Sequence, residues 1–119
     1  MKLTANVFFA LSQGENLFYS RGRDPKTVPG LAVQRWYDEI ELYDYNNPGF
    51  SGATGHFTQM MWSTNTNLGC ASTDPALNRY EKVYVCCHYT PGGNIRRQYA
   101  KKVPRPLNGR PYTDNHTEQ

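Results

Sequence analysis

Lys82-Val83-Tyr84-Val85-Cys86-Cys87-His88-Tyr89 is the stretch on which the fold turns. Its residues favour a pleated, half-buried surface, and they alternate. Val83, Val85, Cys87 and Tyr89 fall on one side, while Tyr84, Cys86 and His88 fall on the other. Pro91-Gly92-Gly93-Asn94 closes the run with turn residues. The reading is a strand with one apolar side.

Upstream the period changes from two to three and four. After Pro29-Gly30, the residues Val33, Trp36, Tyr37, Ile40 and Tyr43 recur at helical steps and predict one apolar stripe. Asp38, Glu41 and Asp44 then face water, and Glu39 rides the margin of the stripe beside Trp36 and Tyr43. Asn46-Asn47-Pro48-Gly49 ends this helix. A second, short helix is expected from an N-cap at Thr54 through Trp62, with Phe57, Met60, Met61 and Thr64 turned to the core. Leu17-Phe18-Tyr19 reads as a short strand between Gly14 and the Ser20–Pro25 loop. Asp74 to Asn78 reads as an exposed turn, and the polar stretch beyond Ile95, broken by Pro104, Pro106 and Pro111, as a tail. Internal repeats are absent. Residues 1–95 are thus expected as the domain and residues 96–119 as a basic, proline-containing tail.

A chain of 119 residues supports one modest domain, and 38% hydrophobic with 13% aromatic content supplies a real core. No run approaches the roughly eighteen apolar residues a membrane-spanning helix needs. The net charge of +3 is unevenly spread: residues 1–95 carry seven basic and eight acidic side chains, residues 96–119 six and two. The body is therefore nearly neutral, which argues against a nucleic-acid partner; the tail alone could attach weakly to polyanions. Met1 to Phe9 makes a poor export signal, because Asn6 interrupts a short apolar run. A helix end or loop entering the domain fits that segment better.

The chemistry-bearing residues are few. Cys86 and Cys87 are adjacent on a strand and point to opposite faces, so both cannot approach Cys70. Two readings stand: a Cys70–Cys87 bond closing a loop worth roughly 3 kcal/mol, or three reduced, buried thiols. The former leaves Cys86 as a free thiol or as a link to another chain. His56 opens the short helix and would ordinarily be a structural imidazole, while His88 faces away from Cys87. Asn115-His116-Thr117 is a glycosylation acceptor if the chain is secreted. Glu15, Glu39 and His56 could together bind a divalent cation or handle protons, although spacing alone does not bring them together.

Five stretches occur along the chain in this order: Gly14-Glu15-Asn16-Leu17, Ala32 to Ile40, Gly55-His56-Phe57-Thr58-Gln59-Met60-Met61-Trp62, Leu68-Gly69-Cys70-Ala71, and Val83 to Asn94. Over residues 11–95 the chain strongly resembles the CAP superfamily, the group of cysteine-rich secretory proteins, antigen 5 and plant pathogenesis-related 1 proteins, also called SCP domains. The resemblance implies an α+β fold, an α-β-α sandwich with a mainly antiparallel sheet and an open cleft. It maps the cleft residues, which in some members hold zinc or another divalent ion, to Glu15, Glu39 and His56, and the family disulfide to Cys70 with Cys87. The family's other cleft histidine lies on a first long helix, and none of the thirteen residues before Gly14 is His. An N-terminally incomplete domain with one sheet face uncovered is therefore expected. The functional expectation is an extracellular, non-catalytic binding module for a sterol, a lipid or a defence-related protein partner, with no cofactor required. The alternative is a metal-assisted, peptidase-like hydrolase using the His/Glu cleft.

Overall fold

A computed structural model of the chain describes residues 13–77, 81–109 and 111. Strand β1 spans Gly14–Arg21 and ends at Gly22, whose φ of 77° is the left-handed backbone glycine adopts most easily. Asp24 caps the following single turn of 3-10 helix by accepting from the Lys26 N–H at 3.1 Å. Helix α1, Val28–Asp38, follows with a proline in its first turn, where no N–H partner is lost, and tightens into a 3-10 extension over Glu39–Leu42. Helix α2 is Gly55–Met61, strand β2 Asn67–Ser72, strand β3 Lys82–Thr90 and helix α3 Tyr99–Lys102.

The three strands pair antiparallel in the order β1-β3-β2, with β3 in the centre. The predicted alternation of β3 holds along its length: Val83, Val85, Cys87 and Tyr89 are buried. They meet Val28, Ala32 and Trp36 of α1, and the Trp36 indole donates to the Leu17 carbonyl at 3.3 Å, fastening the helix across the sheet. A second cluster joins Ile40, Tyr43, Phe57, Trp62, Tyr99 and Val103. The opposite side of the sheet carries exposed Leu17, Tyr19 and Tyr84. This is a mixed α and β fold with the described helices gathered on one side of an antiparallel sheet.

Several expectations are corrected. The buried stripe of α1 runs Val28, Ala32, Trp36 and then Ile40, while Val33 is exposed. Successive helical residues are about 100° apart, so choosing Val33 over Ala32 rotates the stripe off the sheet. Met61, at the end of α2, and Thr64 beyond it face solvent, and Thr58 and Gln59 are buried beside Phe57, because polar contacts as well as apolar ones hold this helix. Thr54 occupies the N-cap position without a side-chain capping bond. The stretch after Ile95 is not simply a tail. Residues 99–102 form α3, whose Tyr99 and the following Val103 are buried four residues apart on one face. The Lys102 carbonyl accepts from the Ser63 N–H at 2.8 Å, which ties this segment to the chain leaving α2. Met1 to Phe9, Asn115 and His116 lie outside the described residues.

Candidate functional site

Helix α2 is short, so its position is set by what grips it. Asn16 is buried on β1 and donates from Nδ2 to the His56 carbonyl at 3.0 Å and to the Tyr89 hydroxyl at 3.2 Å. Asn94, at a positive φ of 57°, donates to the Gly55 carbonyl at 2.9 Å and accepts from the Thr58 hydroxyl at 2.6 Å. Gln59 accepts from the Gly93 N–H at 3.1 Å and packs against Gly14. Side chains at the two turn glycines would collide: a Cβ at Gly93 would lie 2.7 Å from the Trp62 ring, and one at Gly92 would lie 2.8 Å from the backbone of β1. The Gly-Glu-Asn, Gly-His-Phe-Thr-Gln and Pro-Gly-Gly-Asn stretches are thus parts of one lock.

That lock delivers His56 to Glu39. Nδ1 of His56 lies 2.8 Å from Oε2 of Glu39, and the other carboxylate oxygen accepts the Phe57 N–H at 2.9 Å. The imidazole stacks on Trp36 at 6.1 Å between ring centres. Glu39 is mostly covered, whereas the His56 side chain is 42% exposed. A carboxylate on Nδ1 fixes that nitrogen as the donor, so Nε2 carries the lone pair of the neutral ring. This pair can orient a proton acceptor.

Glu15 has different partners. It precedes Asn16 on β1 and therefore points to the opposite, open side of the sheet. There it is registered against His88 of β3, with Oε2 at 2.7 Å from His88 Nε2. The Cys86 thiol, two residues along β3, lies 3.6 Å from the same carboxylate oxygen and 3.4 Å from the same imidazole nitrogen. Burial raises the pKa of this thiol above its ordinary value, and the Glu15 charge adds to the effect. Of the three residues assigned to the cleft, the structure joins Glu39 with His56 and sets Glu15 with Cys86 and His88. Alternation had placed Cys86 and His88 on a common side; the pairing of β1 with β3 is what brings Glu15 to them. Cys70 and Cys87 sit opposite each other on β2 and β3 and are joined by a disulfide.

Away from the sheet, a groove of about 630 Å³ opens between Pro48 and Phe50 on one side and Tyr99 and Ala100 on the other, with Arg96 and Arg97 also lining it. Phe50 is 67% exposed, and the edge of its ring packs close to Gly55. No helix among the described residues is long and apolar enough to cross a membrane.

An antiparallel sheet backed by helices, with a signature helix held by Asn16, Glu39 and Asn94, defines a class of small CAP-type domains. Residues 5–89 match the profile of the cysteine-rich secretory protein family, CAP, and the chain belongs to that family. It is 37% identical over 90 residues to Protein PRY2 of Saccharomyces cerevisiae, covering 76% of this chain and 25% of the relative. It is 41% identical over 85 residues to the pathogenesis-related protein PRMS of Zea mays, covering 69% and 48%. With venom allergen 5 of Polistes fuscatus it shares 34% over 95 residues, covering 75% and 45%. The solved structure of BmVAL-1 superposes with a TM-score of 0.64 at 24% identity, over 81% of this chain and 52% of that one, which shows the shared fold. The chain spans between a quarter and a half of the length of the curated relatives it matches.

Proposed function

We propose that this domain is an extracellular, non-catalytic binding module for a sterol or another lipid. The observation that carries this reading is the groove beside Phe50. A phenylalanine left 67% exposed at the wall of a groove of about 630 Å³ offers apolar contact that folding alone leaves unused. Arg96 and Arg97 add cationic groups suited to the polar end of an amphipathic ligand. Kinship with a venom allergen and a pathogenesis-related protein supports the extracellular setting and keeps a defence-related protein partner as the other ligand class.

A second reading, hydrolysis, is favoured by the Glu39–His56 pair, because a carboxylate-oriented imidazole is the usual proton acceptor of such chemistry. If a divalent ion bound beside this pair, it would supply a polarised water. No serine, threonine or cysteine side chain among the described residues is hydrogen-bonded to His56, so such a reaction would need water as its nucleophile; the exposed aromatic wall of the groove makes binding the better reading.

The test is capture of a fluorescent sterol by the purified chain, with and without Phe50→Ala. Saturable capture that falls by about tenfold or more in the variant, with thermal stability unchanged, supports the binding reading. Absence of capture, with casein cleavage that Glu39→Gln abolishes, replaces it with the hydrolase.

A further inference from the structure

We propose that Glu15, Cys86 and His88 form a binding site for a borderline-soft divalent cation, of which zinc is the type, on the open side of the sheet. The three donor atoms come from two hydrogen-bonded strands and all lie within 4.8 Å of one another. Thiolate, imidazole and carboxylate are the donors such an ion takes, and tetrahedral coordination at ordinary bond lengths sets sulfur about 3.5 Å from each nitrogen or oxygen. The observed sulfur contacts are 3.4 Å to His88 Nε2 and 3.6 Å to Glu15 Oε2. Two of the three donor spacings are already those of the loaded site. The third, 2.7 Å between Glu15 and His88, must widen by about 0.6 Å as the hydrogen bond gives way to two metal bonds.

The backbone supplies the precision. Cys86 and His88 lie two residues apart on β3, which is paired on both sides, and Glu15 is held directly opposite His88 by the β1 register. Strand β2 supplies the room. Opposite Cys86 and His88 it carries Ala71 and Gly69, and a Cβ built on Gly69 would meet nothing within 4 Å. The resulting hollow of about 420 Å³ has Cys86 and His88 in its wall and leaves a fourth coordination position to water.

Charge also balances. On binding, the Cys86 thiol proton passes to solvent and His88 presents the Nε2 lone pair with its proton on Nδ1. One thiolate and one carboxylate then neutralise the dication. Cys70 and Cys87 cannot compete, because their sulfurs are bonded to each other. The site is separate from the Glu39–His56 pair and from the groove beside Phe50, so it stands or falls independently of the ligand-binding reading.

The test is a cobalt(II) titration of the full chain carrying one titratable thiol, followed by zinc. The expected result is a thiolate-to-cobalt charge-transfer absorption that saturates at one ion per chain and is bleached by zinc. Cys86→Ser abolishes that absorption, while His88→Ala and Glu15→Gln each weaken cobalt binding by about tenfold or more. Glu39→Gln leaves the titration unchanged. Circular dichroism checks that each variant is folded, and the half-exposed positions make that the expected outcome. Three results overturn the proposal: no charge-transfer band, a band that survives Cys86→Ser, or saturation at half an ion per chain, which would mark an ion shared between two copies.

Discussion

Glu39 and His56 are joined at 2.8 Å across the gap between the 3-10 extension of α1 and the first turn of α2. The same carboxylate accepts the Phe57 N–H, one of the free donors at the start of α2. Glu39 is therefore a cap supplied from another element, and its removal leaves a covered N–H without a partner.

Glu39→Ala should cost about 1–3 kcal/mol in urea unfolding, the penalty of a lost charged acceptor. Glu39→Gln should cost less, since its amide oxygen can still take the Phe57 N–H. His56→Ala should cost less than about 1 kcal/mol, because that ring is 42% exposed and its pairing is screened. Equal costs for Glu39→Ala and His56→Ala would show that the Phe57 contact contributes nothing.

Strand β2 depends on its disulfide. All six of its residues are exposed, and it lies at an edge of the sheet with β3 as its pairing partner. The Cys70–Cys87 bond closes a separation of 17 residues, and its loss should cost about 3 kcal/mol. Paired replacement by alanine should also raise amide exchange over residues 67–72 far more than over β1. Exchange that rises uniformly would mean that β2 and the body open together.

The sequence displayed the strand at 82–90 because a period of two is local: each side chain announces its own side. The stripe of α1 was legible one residue out of phase, since Ala32 carries little hydrophobic weight yet sits where the helix lies closest to the sheet. Tyr99 and Val103 went unseen for a related reason, being two apolar anchors among six cations. Glu39 and His56 were nominated by residue type and by resemblance, and the fold supplied their contact. The partnership of Glu15 with His88 had no local signal at all. It is fixed by strand register between residues 73 apart, and register is a property of the whole sheet.

The C-terminal anchor gives a direct stability prediction. Tyr99 packs edge-on against Trp62 at 5.1 Å, and Val103 is 2% exposed in the same cluster. Tyr99→Ala should cost about 3–5 kcal/mol, as for other large aromatic truncations, whereas exposed Lys101→Ala should stay within about 0.5 kcal/mol. Chemical denaturation of the two variants side by side separates them. Similar midpoints would return residues 99–103 to the status of a tail.

Alkaline pH should unfold the domain through its buried phenols. Burial raises the pKa of Tyr43, Tyr89 and Tyr99 above the ordinary value of 10.0, and for Tyr89 the Asn16 hydrogen bond offsets part of the rise. A raised folded-state value means that the folded chain keeps these protons while the unfolded chain releases them. Their contribution is therefore fully present below about pH 10 and is lost as pH climbs through the folded values. Tyrosinate absorbance should show a late phase that coincides with loss of the near-ultraviolet circular dichroism signal. A single early phase, complete while that signal persists, would mean that these hydroxyls reach water in the folded state and that the cluster around Trp62 is open.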